Sequence, residues 1–191
     1  MRPSVLVIYA SRHRSTEGVA NRIASRIGEH GITVTVSEAS SVPELDRIDA
    51  VVLGSPVYGQ RWLPEAEELA RTHVDDLAGL PVWLFSVGTF GDDKPLIGPL
   101  MKREPKGIEN LCAALQAREY RVFAGVIDRH QWPYLSRLFF HTLGGRLGDN
   151  RDWGQIDAWA DEIAGALTAS GPRGLAVQSS GGVSSSPCSR A

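Results

Sequence analysis

Apolar residues fall along this chain in two alternating rhythms. Val5–Tyr9 is a continuous apolar run, the signature of a strand buried on both faces. From Thr16 the apolar positions become Val19, Ala20, Ile23 and Ile27, one face of a helix that closes at Glu29-His30-Gly31. Ile32–Val36 (ITVTV) is β-branched throughout and predicts a second strand. Pro43 opens a short turn or helix, and Asp49–Ser55 (DAVVLGS) is again a buried strand. Pro64 sits where a first-turn proline is tolerated, and Ala66, Leu69, Ala70, Val74 and Leu77 follow at helical spacing. Leu80–Gly88 predicts a fourth strand; Ile108, Leu111, Cys112 and Leu115 a short helix; Tyr120–Ile127 a fifth strand. Trp153, Ile156, Ala160, Ile163 and Leu167 form the last stripe, with Asp152 and Gln155 in capping-box spacing at its start.

Five buried strands alternating with helices predict an α/β sandwich: a parallel sheet with helices on both faces. Periodicity leaves the strand order open. After about Ser170 the sequence GPRGLAVQSSGGVSSSPCSRA has no core-forming pattern, so residues 171–191 are expected to be a disordered tail behind a single domain spanning 1–170.

Composition narrows the classes. The 191 residues are 42% hydrophobic and 22% charged, with a formal net charge of −2, an ordinary globular balance that argues against a dedicated nucleic-acid binder. No Cys/His spacing suggests a metal. The N-terminal apolar run is short for a signal peptide, and no stretch approaches the ~20 apolar residues of a membrane span. A cytoplasmic protein is the expectation.

In a parallel sheet of this kind ligands bind beyond the C-terminal strand ends, so the loops after strands one, three and four carry the chemistry. The first holds Ser11, Arg12, His13, Arg14, Ser15 and Thr16 at the start of a helix. Orphan amides and the helix dipole favour an anion there, and hydroxyls and cations suit a phosphate. Neither G-x-x-x-x-G-K-[ST] nor G-x-G-x-x-G is present. The plainer alternative is a helix start capped by Ser15 or Thr16. The second loop, within Gly54–Trp62 (GSPVYGQRW), offers Pro56, Val57, Tyr58, Gly59 and Trp62. A flat ligand could stack on its aromatics, or Trp62 could pack on the adjoining helix. The third loop begins Ser86, Val87, Gly88, Thr89, Phe90 and Gly91; its glycines permit close backbone approach, although an ordinary surface loop would read the same way. No nucleophile or acid/base arrangement can be argued from spacing, so no side chain is assigned a catalytic role.

The joint register of these loops resembles the flavodoxin-like family over roughly Val5–Leu167. The resemblance implies a three-layer sandwich with strand order 2-1-3-4-5 that binds flavin mononucleotide (FMN). In that family the first loop holds the phosphate and the other two flank the isoalloxazine ring, which makes the residues just named the cofactor-binding set. The stretches YASRHRSTEGVA, GSPVYGQRWLPEAEELA, VFAGVIDRHQWPYLSRLFFHTLGG and RDWGQIDAWADEIA are most similar to the flavodoxin-domain group that contains menaquinone-dependent protoporphyrinogen oxidase. That group carries an extra segment before its last helix, here Asp128–Asn150. The implied function is FMN-dependent electron or hydride transfer. A small electron carrier, or a flavodoxin-like binding module that has lost FMN, are the alternatives, and the redox partner, quinone or small-molecule substrate is left open. Related loops usually have glycine where this chain has Arg14, which is costly if the position needs positive φ. Within the extra segment, Trp132, Leu135, Leu138, Phe139 and Leu143 share a helical face. In 132–143 that face either meets a quinone, a membrane surface or a partner, or covers the sheet edge.

Overall fold

The computed structural model describes residues 2–45, 47–88, 105–127 and 148–170. In chain order these form β1 (Ser4–Tyr9), α1 (Ser15–Glu29), β2 (Thr33–Glu38), β3 (Ala50–Pro56), α2 (Pro64–Thr72), α3 (Val74–Ala78) and β4 (Val82–Gly88), then α4 (Ile108–Ala114), β5 (Glu119–Ala124), β6 (Val126–Ile127), β7 (Gly148–Asp149) and α5 (Trp153–Ser170). The main sheet runs β2-β1-β3-β4-β5, parallel at every pairing, as expected.

Alternation of side chains along buried strands divides the core in two. Val5 and Val7 of β1 join Ile23 and Ile27 of α1 and Trp159 and Ile163 of α5 on one face. Leu6 and Ile8 join Leu53, Ala66 and Leu69 of α2, and Cys112 of α4, on the other. On the first face Phe85, Phe123 and Trp159 form a ring cluster with centroid separations of 5.5 to 6.2 Å. Gly54 makes room for it, since a Cβ there would lie 2.0 Å from Phe85 Cζ.

Three sequence expectations change and one narrows. β2 is not a buried strand: it is the sheet edge, with Thr33, Thr35 and Val36 exposed, because β1 covers only one of its sides. The segment after Pro43 takes the turn rather than the helix of the two expected, the Ile48 amide donating to the Leu45 carbonyl at 3.0 Å. The stripe from Ala66 to Leu77 is two helices, broken at His73 (φ −106°, ψ 24°). The fifth strand stops at Ala124; after Gly125 the chain leaves β4, and Val126–Ile127 pairs antiparallel with Gly148–Asp149 instead. At the start of α5 the Gln155 amide donates to Asp152 Oδ1 at 3.1 Å, one arm of the capping pattern. Most of the extra segment, including the 132–143 stripe, and the 171–191 tail lie outside the described residues.

Candidate functional site

The parallel sheet delivers the ends of β1, β3 and β4 to one edge. At the first, the Ala10 amide donates to the Gly54 carbonyl (3.0 Å), tying the start of the loop to β3. Arg14 then caps α1 in the left-handed region, φ 59° and ψ 1°, and its carbonyl accepts the Gly18 amide at 3.0 Å. The helix amides before Gly18 have no intrahelical acceptor. No side chain caps them, so neither Ser15 nor Thr16 plays the capping role of the plainer reading. Ser15 Oγ instead accepts the Val126 amide at 3.0 Å. Thr16 is 1% exposed, yet among the described residues its hydroxyl has no hydrogen-bond partner. Arg12, His13 and Arg14 are exposed, and among the described residues the Arg14 guanidinium pairs with Glu17 alone, at 3.9 Å.

At the second loop, Pro56 is buried and the Val57 amide donates to the Val87 carbonyl (3.0 Å). Tyr58 and Arg61 exchange backbone hydrogen bonds of 2.9 and 3.1 Å around Gly59 (φ 57°) and Gln60 (φ 64°). Two positive-φ central residues make this a type I′ hairpin turn, whose twist matches that of its arms. It holds Tyr58 half-exposed, with Arg12 Cζ 5.6 Å from the ring centre and the His13 ring edge-on at 6.4 Å. Partial burial raises the Tyr58 phenol pKa, and nearby Arg12 opposes the rise.

Trp62 and Ser86 lie deeper. Trp62 is 4% exposed and its indole N–H donates to Ser86 Oγ at 2.7 Å; Tyr120 OH donates to the same oxygen at 2.8 Å. Ser86 within β4 and Trp62 packed in the core beside α2 brace the loops from beneath rather than lining the edge. Val87 is buried, and Gly88 accepts the Gly125 amide at 2.8 Å. Thr89, Phe90 and Gly91 lie outside the described residues. The first two loops are thus brought together around Tyr58, and the third joins them through Val87 and Gly88.

Sequence reading missed the support from β6 and the start of α5. A Cβ on Gly125 would stand 2.7 Å from Val87 Cγ1, 3.1 Å from Ser15 Oγ and 3.2 Å from the Gly88 carbonyl, so the first and third loops close on this glycine. Arg151 lies across α1, its Nη1 2.4 Å from the Cβ that Gly18 lacks. Two hydrogen bonds to Asp149 (2.8 and 2.6 Å) hold it, and it stacks 4.4 Å from the Trp153 ring centre. Those hydrogen bonds lower the Asp149 pKa. A glycine inside an apolar strand run was the available signal at Gly125.

The edge combines a helix N-terminus, a buried hydroxyl unsatisfied among the described residues, two guanidinium groups with an imidazole between them, and a half-exposed ring. It suits a phosphate joined to a flat group. Among the described residues no His, Cys, Asp and Glu cluster could hold a metal, and no helix is long and apolar enough to cross a membrane.

Comparison with known proteins points the same way. The flavodoxin domain family model matches residues 6–152. Protoporphyrinogen IX dehydrogenase [quinone] from Escherichia coli strain K12 is 25% identical over 175 residues, covering 83% of this chain and 93% of that protein. An archaeal flavodoxin superposes with a TM-score of 0.58 at 15% identity, over 86% of this chain and 99% of the other. Flavodoxin 1 from Bacillus cereus gives 0.58 at 17% identity, with the same coverage of 86% and 99%. Rubredoxin oxygen:oxidoreductase from Desulfovibrio gigas gives 0.60 at 17% identity, over 88% of this chain and 37% of that one. At such identities the solved structures speak for the fold alone.

Proposed function

The chain belongs to the flavodoxin domain family, and on that premise we propose that it is an FMN-dependent oxidoreductase transferring electrons or hydride, similar to protoporphyrinogen IX dehydrogenase [quinone]. The observation that carries this reading is Thr16: a hydroxyl 1% exposed and, among the described residues, without a partner, in the first turn of α1. An unsatisfied buried hydroxyl costs about 1–3 kcal/mol, and a phosphate oxygen is the acceptor this corner lacks.

FMN, when bound, supplies the redox chemistry through its isoalloxazine ring. The chain's part is to bind and orient it. In this reading Ser11, Ser15 and Thr16 with the first-turn amides take the phosphate, and Arg12, His13 and Arg14 balance its charge. Pro56, Val57, Tyr58 and Gly59 wall one side of the ring, and the loop Val87–Gly91 walls the other. Trp62 and Ser86 hold those walls in register and exclude water beneath them. The working unit is residues 1–170, with 128–150 as the insertion that would confer substrate choice and 171–191 as a dispensable tail.

A second reading rests on Arg14. A non-glycine residue at φ 59° is strained by roughly 1–2 kcal/mol, and a binding module that has given up FMN would tolerate a cation there. The visible spectrum of the purified protein, before and after FMN is added, separates the two. Fluorescence-quenching titration is expected to show FMN bound more tightly than riboflavin; equal affinities would remove the phosphate role of the first loop. Turnover of a porphyrinogen with a quinone then distinguishes an enzyme from an electron carrier.

A further inference from the structure

We infer that a pocket between α2 and α4 is a binding site for an apolar organic carboxylate. The pocket encloses about 440 Å³ and lies on the sheet face opposite α1 and α5. Its volume is within the range of small-molecule sites, roughly 300–1,000 Å³. Trp62, Ala70, Val74, Ile108 and Leu111 give it an apolar lining.

Its charge selects the ligand. Among the described residues Arg61, Arg71 and Lys106 line it against one carboxylate, Glu67. Glu67 is engaged by Arg61 at 3.0 Å, and Arg71 pairs with Glu68, which is not in the lining. Lys106 makes no ion pair among the described residues. Neighbouring Asn110 adds an amide to the same wall. An apolar body beside an unpaired ammonium is complementary to a compact hydrophobic acid, and unfavourable for a cation.

Position links the pocket to the edge described above. The Lys106 amide donates to the Gln60 carbonyl at 2.6 Å, and Arg61 and Trp62 follow directly. The Tyr58–Arg61 hairpin therefore has the first loop on one side and this pocket on the other. That the carboxylate is a redox substrate rests on the flavin reading; that the pocket binds it does not.

The test uses naphthalene-2-carboxylate and its uncharged amide as matched probes of the full chain, followed by calorimetry and backbone amide NMR, with and without FMN. The carboxylate is expected to bind more tightly than the amide and to shift resonances of residues 61–74 and 105–114. Lys106→Glu, at an exposed position, should weaken the carboxylate about fivefold and leave the amide unchanged. Ala114→Trp, from an exposed lining residue, should exclude both; its melting curve checks that it folds, and Lys106→Glu decides the matter if it does not. Equal affinities for the two probes, indifference to Lys106→Glu, or shifts elsewhere in the chain would overturn the inference. Probe binding without FMN binding would uphold the pocket while removing the flavin reading, and the reverse would do the opposite.

Discussion

The Arg12 guanidinium stands 5.6 Å from the centre of the Tyr58 ring, and this contact joins the loop after β1 to the hairpin after β3. Neither partner is deeply buried, so the pairing contributes only about 0.5–1 kcal/mol to folding. Its larger effect is to fix where the ring stands beside the helix terminus. Tyr58→Leu is therefore expected to shift the melting temperature slightly while weakening FMN several-fold. Calorimetry and fluorescence quenching measure the two effects. A variant with lower stability and unchanged FMN affinity would show that the contact is structural only.

Thr16 offers a sharper separation. Valine keeps the shape of threonine but carries no hydroxyl to leave unsatisfied. Thr16→Val should stabilise the flavin-free protein by about 1 kcal/mol, weaken FMN and leave riboflavin affinity unchanged. Thr16→Ser, which retains the hydroxyl, should keep FMN affinity near wild type. Denaturant melts and paired titrations read this out. A destabilised valine variant would mean that the hydroxyl is satisfied in solution by water or by a rotamer change.

The α1–α5 contact carries an acid-sensitive clamp. Arg26 donates to both Asp161 oxygens (2.8 and 3.0 Å), His30 Nε2 lies 2.7 Å from Oδ1, and Arg22 makes two 2.6 Å hydrogen bonds to Asp157. These bonds lower the Asp161 pKa from 3.8 to about 2, and lower that of Asp157 as well. Depressed carboxylates lend stability that is complete above the ordinary value and is lost as pH falls through the folded one. The melting temperature should therefore drop between pH 3.8 and about 2. Asp161→Asn should melt lower at neutral pH and show a shallower decline in that window. Parallel pH profiles for the two proteins would exclude the clamp.

How much of this was legible follows the length of the signal. The strands at Val5–Tyr9 and Leu80–Gly88 and the α5 stripe are continuous patterns, and all three appear. At Gly125 the glycine marked a possible interruption, but VFAGVI keeps its apolar rhythm across it, so the change of hydrogen-bond partner that follows could not be read. β2 is β-branched whether covered or at an edge, so propensity could not report its exposure. At the candidate site, residue type marked the loops but not their depth. Tyr58 and Trp62 look alike four positions apart, yet the hairpin leaves one 42% and the other 4% exposed. The supports at Gly125 and Arg151 come from the far end of the chain, and only the fold brings them to Ser15 and Gly18.

Arg14 yields the most discriminating prediction, because two effects oppose each other there. Its φ of 59° strains the empty loop, and glycine would relieve roughly 1–2 kcal/mol. Its guanidinium is 92% exposed and only loosely tied to Glu17, at 3.9 Å, so it is free to turn toward an anion at the helix terminus. A charge-assisted hydrogen bond to a phosphate dianion returns about 1.5–3 kcal/mol. Arg14→Gly should therefore raise the stability of the flavin-free protein, weaken FMN binding and flatten its dependence on salt, since one screened attraction is gone. Riboflavin, which has no phosphate, should bind the two proteins equally. Arg14→Lys keeps the charge and the strain, so it should retain most of the salt dependence without the stability gain. The experiment is a titration of both flavins at low and high salt, beside melts of the flavin-free proteins. If the glycine variant binds FMN more tightly than wild type, Arg14 obstructs the site, and the module without FMN becomes the better reading of this chain.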